Sequence, residues 1–526
     1  MGSSTFDGIA LSLFVGRVQA VCDEMGAALR RSAFSPNIKD RLDYSCAVFD
    51  ARGELFGQAA HIPVHLGSMA YAMADVVKRF EWRADDLVVL NDPYLGGTHL
   101  PDVTVVAPVF VERRLIAFAA CRAHHANIGS DEPGSMPIST ALEQEGIVIA
   151  PMLARRDGAL TDAARRVFDA LAGRPHSTDE ALHADERLGD FFAQMSACRL
   201  GGRRVETLAA QMGVAEFGNA IDALNEYAER LAATAIAAMP DGTYAFDDVM
   251  DDDGVGAVEP TIRVAVTIAG DRARVDLGRT DPQVGGNINC PRSVTAAAVL
   301  YAFRCLMPEQ TPGVAGAFRR IDIVTTPGTL VDARYPAAVA AGNVETSMRI
   351  VDAILGALAQ ALPDRIPAAS QGTMNNIAMG RHAGDVRWDY YETIGGGAGA
   401  SPRGNGASAI HCHMTNTLNT PVESLETHFP LRVRRYAVRR GSGGAGRFTG
   451  GDGIVREFEF LQPARVTVLT ERRSRRPWGL RGGADAAVGC NSLNGRALGA
   501  KAALDVTPGD VLTIETPGGG GWGEAT

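Results

Sequence analysis

Lysine is almost missing from this chain of 526 residues. It occurs only as Lys39, Lys78 and Lys501, so nearly all the basic charge is carried by arginine. No GxxxxGK[ST] run exists, which excludes a P-loop as the route to a nucleotide. The eight cysteines form no CxxC pair and lie mostly in apolar or helical runs, so reduced, buried thiols fit better than a disulfide framework. No window approaches about 18 uncharged apolar residues, and no membrane span is expected. The N-terminus has no basic stretch before an apolar one, so no secretory signal is expected and the reading is a cytoplasmic protein. A formal charge of −10 argues against nucleic acid or an anionic membrane as partner.

The chain is too long for one core, and about 100–200 residues per domain suggests two to four domains. Spacing predicts a helix over 7–33, with Ile9, Leu13, Val18, Cys22, Met25, Leu29 and Ala33 on its apolar face. A strand over 41–49 follows, with Asp43 at its start as a turn or cap residue, and then a return strand at 54–57. His61 and His65 flank a proline before a helix over 68–80, and each reads singly as a core or capping residue. A strand (GIVIAP) is predicted between 143 and 158, and helices over 164–171, 187–204 and 214–239. Pro240-Asp241-Gly242 ends the last of these and marks a first boundary. A hairpin over 261–268 and 272–277 and helices over 293–307 and 347–361 follow, with a second boundary near 365–375. The expected domains are therefore 1–240 with the candidate site, 241–370 of mixed helix and strand, and a glycine-rich, strand-rich 371–526. The fold class is α+β, with several mixed or antiparallel sheets and flanking helices.

Five of the eleven histidines lie between 61 and 125, and the richest stretch is LVVLNDPYLGGTHLPDVTVVAPVFVERRLIAFAACRAHHANIG, 87–129. A strand end leads to a turn-rich loop through Asn91, Asp92, Pro93, Gly96 and Gly97. His99 and Asp102 precede an apolar run over 103–111, and a second run over 115–123 ends at His124 and His125. A hairpin centred near Arg113 places Asp102 opposite His124, because antiparallel partners sit symmetrically about the turn. One carboxylate and two imidazoles gathered beside a glycine loop suit a divalent metal. The same spacing also fits a turn-capping Asp102 and ordinary strand-end histidines.

Other motifs carry less. The acidic run Asp247 to Asp253 lacks the spaced ligands of a calcium loop and reads as a solvated turn. His411 and His413 share one face of a predicted strand and could ligate a metal. Gly441, Gly443 and Gly446 match GxGxxG, but no strand–helix pair frames them, so turns and close backbone approach are the first reading. Backbone N–H groups of the loops at 394–400 and 441–453 could otherwise cradle a phosphate or oxyanion.

Taken together, NDPYLGGTHLPDVTVVAPVF, RAHHANIG, HMTNTLNTPVESLE, SGGAGRFTGGDGIVRE, RPWGLRGG and the terminal TPGGGGWG resemble the hydantoinase B/oxoprolinase family, in family order and from about residue 7 to residue 523. That resemblance implies a B-type component of an ATP-dependent hydantoinase, oxoprolinase or lactamase, hydrolysing a cyclic amide. It further implies an A-type partner of actin/Hsp70-like fold that binds ATP, in a heterotetramer or larger assembly. Metal ligands carried over from the family are Asp43, His99, Asp102 and His124, for zinc, manganese or iron, and Asp43 thereby changes from turn residue to ligand. Glu145 and His125 are the candidates for acid–base work. The family's usual Asp in the HHADIGG stretch is replaced here by Asn127, with Ser130 nearby, which bears on proton transfer or ligand orientation. The alternatives are a component of an ATP-dependent ketone carboxylase of acetone or acetophenone type, and a non-catalytic structural partner.

Overall fold

The computed structural model describes residues 8–59, 62–383 and 386–525. Among these, four sheets and their flanking helices form the expected α+β architecture. The first sheet has seven strands, each antiparallel to its neighbours, in the order Leu55–Gln58, Tyr44–Asp50, Arg114–His124, Asp102–Val111, Leu87–Leu90, Met152–Arg156 and Ala159–Leu160. Both faces are buried, which explains near-continuous apolar runs instead of alternating ones. Val103, Val105, Ala107 and Val109 face the helices Gly8–Ser32 and Gly189–Met212, while Val106, Phe118 and Ala120 face the helix Pro63–Val76.

The three other sheets are smaller. Gly242–Val249, Thr261–Ala269 and Arg272–Asp276 are antiparallel neighbours, and Ile321–Val324 adds in parallel after a crossover containing the helix Arg292–Arg304. Val386–Glu392, Asn376–Ala383, Ala464–Leu469 and Lys501–Val506 form the third. Leu431–Arg439, Gly453–Phe460, Val511–Glu515, Cys490–Leu493 and Arg496–Leu498 form the fourth. The helix Ser347–Ala361 has the predicted bounds and is buried almost all round. No helix among the described residues is long and apolar enough to cross a membrane.

Several local expectations shift. The first helix buries Phe14, Val18, Val21, Cys22, Met25 and Leu29, whereas Ile9 and Leu13 are 75% and 60% exposed. Leu13 lies about 100° around the helix from Phe14, off the covered stripe. The third helix begins at Pro63, because a proline fits the first helical position, and ends at Val76. Arg187 lies in a short 3-10 turn, and the helix after it runs on to Met212 through Gly201, where an added Cβ would lie 2.2 Å from the Met25 sulfur. GIVIAP is not a strand. Its backbone is taken by a loop, with Asn91 Oδ1 accepting from Ile149 N at 2.6 Å and Ile149 O accepting from Asn91 N at 2.9 Å. Pairing resumes only at Met152.

The glycine loops do not form a phosphate cradle, because most of their amides are already committed within the protein. Gly451 N donates to Ala398 O at 2.8 Å, Gly519 N to Gly451 O at 2.9 Å, Gly444 N to Gly519 O at 2.9 Å and Gly520 N to Ala369 O at 2.8 Å. A Cβ on Gly450 would lie 1.8 Å from Gly519 O, and one on Gly399 1.8 Å from Ala368 O. Backbone packs directly on backbone here, which requires glycine.

The acidic run is also corrected. Asp248, Asp251 and Asp253 are buried instead of solvated. Asp248 pairs with Arg349 at 3.2 Å and with Arg472 at 2.9 Å, and Asp253 Oδ1 accepts from Val255, Gly256 and Ala257 N at 2.8–3.0 Å.

Candidate metal centre

The hairpin turns on Glu112 and Arg113, both with positive φ, and Asp102 pairs directly with His124. Paired residues project to the same face, so carboxylate and imidazole meet at the open end of the ladder. That face is covered by the helix Pro63–Val76, and its end is polar. Arg122 Nε donates to Thr104 Oγ1 at 2.8 Å, its Nη1 to Ser68 Oγ at 2.6 Å and its Nη2 to Gly96 O at 2.9 Å. Gly96 has φ of 108° at the end of the Pro93–Leu95 turn, and the loop thus returned brings His99 back over Asp102.

His99, Asp102 and His124 are fully buried, and their ligand atoms lie within 4.8 Å of one another. Asp102 Oδ1 is 3.1 Å from His124 Nδ1 and 3.2 Å from His99 Nε2. Asp102 Oδ2 accepts from Thr98 Oγ1 at 2.6 Å and lies 3.2 Å from His65 Nε2. His99 Nδ1 is 3.2 Å from Ala340 O, which fits that nitrogen as the donor and leaves Nε2 with a free lone pair. His124 Nε2 has no hydrogen-bond partner, and His99 Nε2 faces Asp102 Oδ1 as an ion-pair contact without making a hydrogen bond. Two buried imidazole nitrogens left without a hydrogen bond beside a carboxylate are costly unless something else binds them.

These groups line a cavity of about 20 Å³ together with Asp43, His65, Asn343, Val344, Met374, Tyr391, Thr393 and Met414. That volume suits one ion or one water, not an organic ring. Its walls come from early, middle and late parts of the chain. Arg41 joins two of them, since Nη1 donates to Tyr391 O at 2.9 Å, Nη2 to Thr393 Oγ1 at 3.1 Å, and Nη2 lies 3.7 Å from Asp43 Oδ2. Tyr391 stacks on the His124 ring at 4.4 Å between centroids, and its hydroxyl donates to Asn376 Oδ1 at 2.7 Å.

Charge is finely divided in this space. Burial pushes the Asp102 carboxyl up, but His99, His65 and His124 outweigh it and hold it well below the ordinary range. Burial pushes His99 down, and Asp102 overcomes that to raise it. For His124 burial wins over Asp102 and Asp43, and its value is lowered.

The structure brings His99, Asp102 and His124 together and sets Asp43 in the same cavity wall. Glu145 and His125 stand apart from it. Glu145 is buried behind His99, its Oε1 accepting from Val339 N at 2.8 Å, Ala340 N at 2.9 Å and Ser139 Oγ at 2.7 Å. Burial raises it to about 7. His125 follows His124 onto the opposite face, where Nε2 meets Gln194 Oε1 at 2.7 Å and the ring packs on Phe191. It borders a separate cavity of about 400 Å³ with Asn127, Asp190 and Asp389. Asn127 Nδ2 sits 3.3 Å from both Asp389 oxygens, so an aspartate at 127 would face a like charge. His61 lies outside the described residues. His411 and His413 do not share a strand face. His413 Nε2 lies 3.1 Å from Asp352 Oδ1, and His411 is isolated, with burial pushing it down to about 4.

Sequence reasoning missed His65 as a partner of Asp102, and Asn343 and Tyr391 altogether. A signal for Asn343 exists, because the polar run Asn343, Glu345, Thr346 and Ser347 interrupts an otherwise apolar stretch.

Known proteins share both sequence and fold with this chain. It is 36% identical to 5-oxoprolinase 1 of Arabidopsis thaliana over 99% of its own length, which is 42% of that protein. The chain thus spans about two-fifths of the length of several curated relatives it matches. Two others it matches over most of their length. These are the uncharacterized protein MJ0963 of Methanocaldococcus jannaschii (36% identical, 98% of this chain and 91% of that one) and the B-type component of a putative D-/L-hydantoinase from a Pseudomonas species (30% identical, 98% and 90%). The crystal structure of the ATP-dependent caprolactamase from Pseudomonas jessenii superposes with a TM-score of 0.90 at 28% identity, covering 99% of this chain and 92% of that one. A nucleotide-free acetone carboxylase shares the fold alone, with a TM-score of 0.84 at 17% identity over 98% of this chain and 76% of that one. A sequence model of the hydantoinase B/oxoprolinase group covers residues 7–525, so the cavity and every strand that shapes it fall inside the match, and the chain belongs to the hydantoinase B/oxoprolinase family.

Proposed function

We propose that the chain is the hydrolytic, B-type component of an ATP-dependent cyclic-amide hydrolase. Relatives named as 5-oxoprolinase, hydantoinase and caprolactamase support that substrate class, since each name denotes a ring amide. A ring amide is a poor electrophile, because resonance stabilises it and an amine leaves badly. Phosphorylation of its carbonyl oxygen by an A-type ATPase partner of actin/Hsp70-like fold would overcome this. The absence of a P-loop here is consistent with ATP being handled by that partner.

The observation that carries the reading is the pair of Nε2 atoms on His99 and His124 that make no hydrogen bond beside Asp102 in an ion-sized cavity. Asp43, His99, Asp102 and His124 would hold a divalent cation (zinc, manganese or iron) that, when bound, lowers the pKa of a water and polarises a carbonyl. The protein's own work is orientation. Ala340 O fixes the His99 tautomer, Thr98 and His65 secure the second Asp102 oxygen, and Tyr391 sets the plane of His124. Glu145 is a positioning residue, acting on His99 through the Val339–Ala340 backbone. The cavity admits no ring, so a substrate would present only its activated carbonyl to it.

Co-purification with an A-type partner, followed by ADP release with hydantoin, 5-oxoproline and caprolactam, tests this directly. Ring-dependent ADP formation is expected with the native chain, and opening of the ring, followed as release of the linear product, is expected to disappear in Asp102→Ala. ADP formation that requires bicarbonate plus a ketone would replace the hydrolase with a ketone carboxylase.

A further inference from the structure

The helix Ser347–Ala361 is preceded by one π-turn, Gly342–Thr346, and such turns are rare and concentrate at functional sites. It is pinned from several sides. Gly342 N donates to Asn287 O at 3.0 Å, Thr346 Oγ1 to Ile288 O at 2.5 Å, and Ser347 Oγ to Asn343 O at 2.6 Å. A Cβ at Gly342 would lie 1.8 Å from Asn289 O, so the backbones could not close in this way around another residue. The turn holds Asn343, only 3% exposed, in the wall of the ion-sized cavity. Asn343 Nδ2 donates to Asp102 Oδ2 at 3.4 Å, and Oδ1 is buried without any partner. The flipped amide would set two acceptors against each other, so the orientation is decided by Asp102.

We propose that Asn343 is a further member of the cation-holding set, supplying its carboxamide oxygen to the ion while its nitrogen orients Asp102. Three acceptors without a hydrogen bond then line one cavity, His99 Nε2, His124 Nε2 and Asn343 Oδ1, each from a different loop or element. An amide oxygen beside imidazole and carboxylate favours borderline-to-hard ions over soft ones. The inference rests on the cluster being an ion site.

The test uses the full chain stripped with a chelator and titrated with Zn²⁺ and Mn²⁺ against a chromogenic competitor, with thermal unfolding recorded with and without ion. Asn343→Ala is expected to weaken binding by about 10–100-fold. Asn343→Asp keeps the oxygen but sets a second carboxylate against Asp102. It is expected to bind at least as tightly as the native chain and to show a larger ion-induced rise in melting temperature. Native affinity in a folded Asn343→Ala would overturn the inference. If Asn343→Ala does not fold, Asn343→Asp decides, and loss of ion binding there would mean that only the donated hydrogen bond mattered. A native chain that binds neither ion overturns the reading of the cluster itself, and this inference with it.

Discussion

Two buried polar clusters in this molecule have opposite designs. Around Arg349, oppositely charged groups satisfy one another. Arg349 reaches Asp248 and Glu471, each at 3.2 Å, Arg472 reaches Asp248 at 2.9 Å and Asp352 at 3.2 Å, and Lys501 closes on Glu471. Around Asp102 one carboxylate gathers three imidazoles, and two of the ring nitrogens, His99 Nε2 and His124 Nε2, make no hydrogen bond. Burial alone therefore does not mark a functional site, since both clusters are buried. What separates them is the kind of capacity left over: around Arg349 only the Nε donors of Arg349 and Arg472 lack a partner, whereas around Asp102 the unpaired atoms can offer lone pairs to a cation.

The sharpest way to break the comparison is to damage each cluster and read the property of the other. Arg349→Met leaves Asp248 with Arg472 alone and Glu471 with Lys501 alone, and the buried negative charge thus left uncompensated costs about 3–5 kcal/mol. Urea unfolding of the ion-free chain should show that loss, with the surviving folded fraction still binding ion at native affinity. His124→Ala should do the reverse. Ion affinity is expected to fall by more than about 100-fold, beyond what loss of a supporting partner causes, while unfolding of the ion-free chain shifts much less than for Arg349→Met. Equal stability losses in the two variants would erase the distinction drawn here.

How much of this was legible in the sequence depends on where register is decided. The pairing of Asp102 with His124 was readable from a polar tip between two apolar runs, but for a subtler reason than symmetry about Arg113. The turn pairs Val111 with Arg114, a centre that on its own would set Asp102 opposite Ala123. A bulge then intervenes, since Phe110 pairs with Leu115 and Val109 with Ala117, leaving Ile116 over. That one residue moves His124 opposite Asp102; without it His124 would project to the other face. Asp43 entered through family resemblance, because one strand start looks like another. His65 and Asn343 were hidden for a different reason. Each reaches Asp102 from a helix or π-turn whose docking depends on tertiary packing, as where Gly67 allows the helix Pro63–Val76 to approach Ala297 on the helix Arg292–Arg304. The glycine-rich last quarter was legible as close backbone approach, but the partners of its amides were not, because they join segments distant in the chain, such as Gly520 and Ala369.

The smallest expected effect sharpens the comparison at its boundary. Glu145 stands behind the site but belongs to neither cluster, a lone buried carboxyl with one oxygen accepting three hydrogen bonds and the other accepting none. Burial raises it from 4.5 to about 7, so the folded chain keeps its proton over a range where the unfolded chain has lost it. Its contribution to stability is thus complete below about pH 4.5, declines as pH rises, and is gone above about pH 7. Glu145→Gln keeps an acceptor for Val339 and Ala340 and never ionises. Between pH 5 and pH 8 the native chain should therefore lose on the order of 1–3 kcal/mol more than the variant, measured by urea midpoints at each pH. Parallel pH profiles would mean that Glu145 is ionised in the fold at neutral pH and that Oε2 has found a cation, which would draw it into the site.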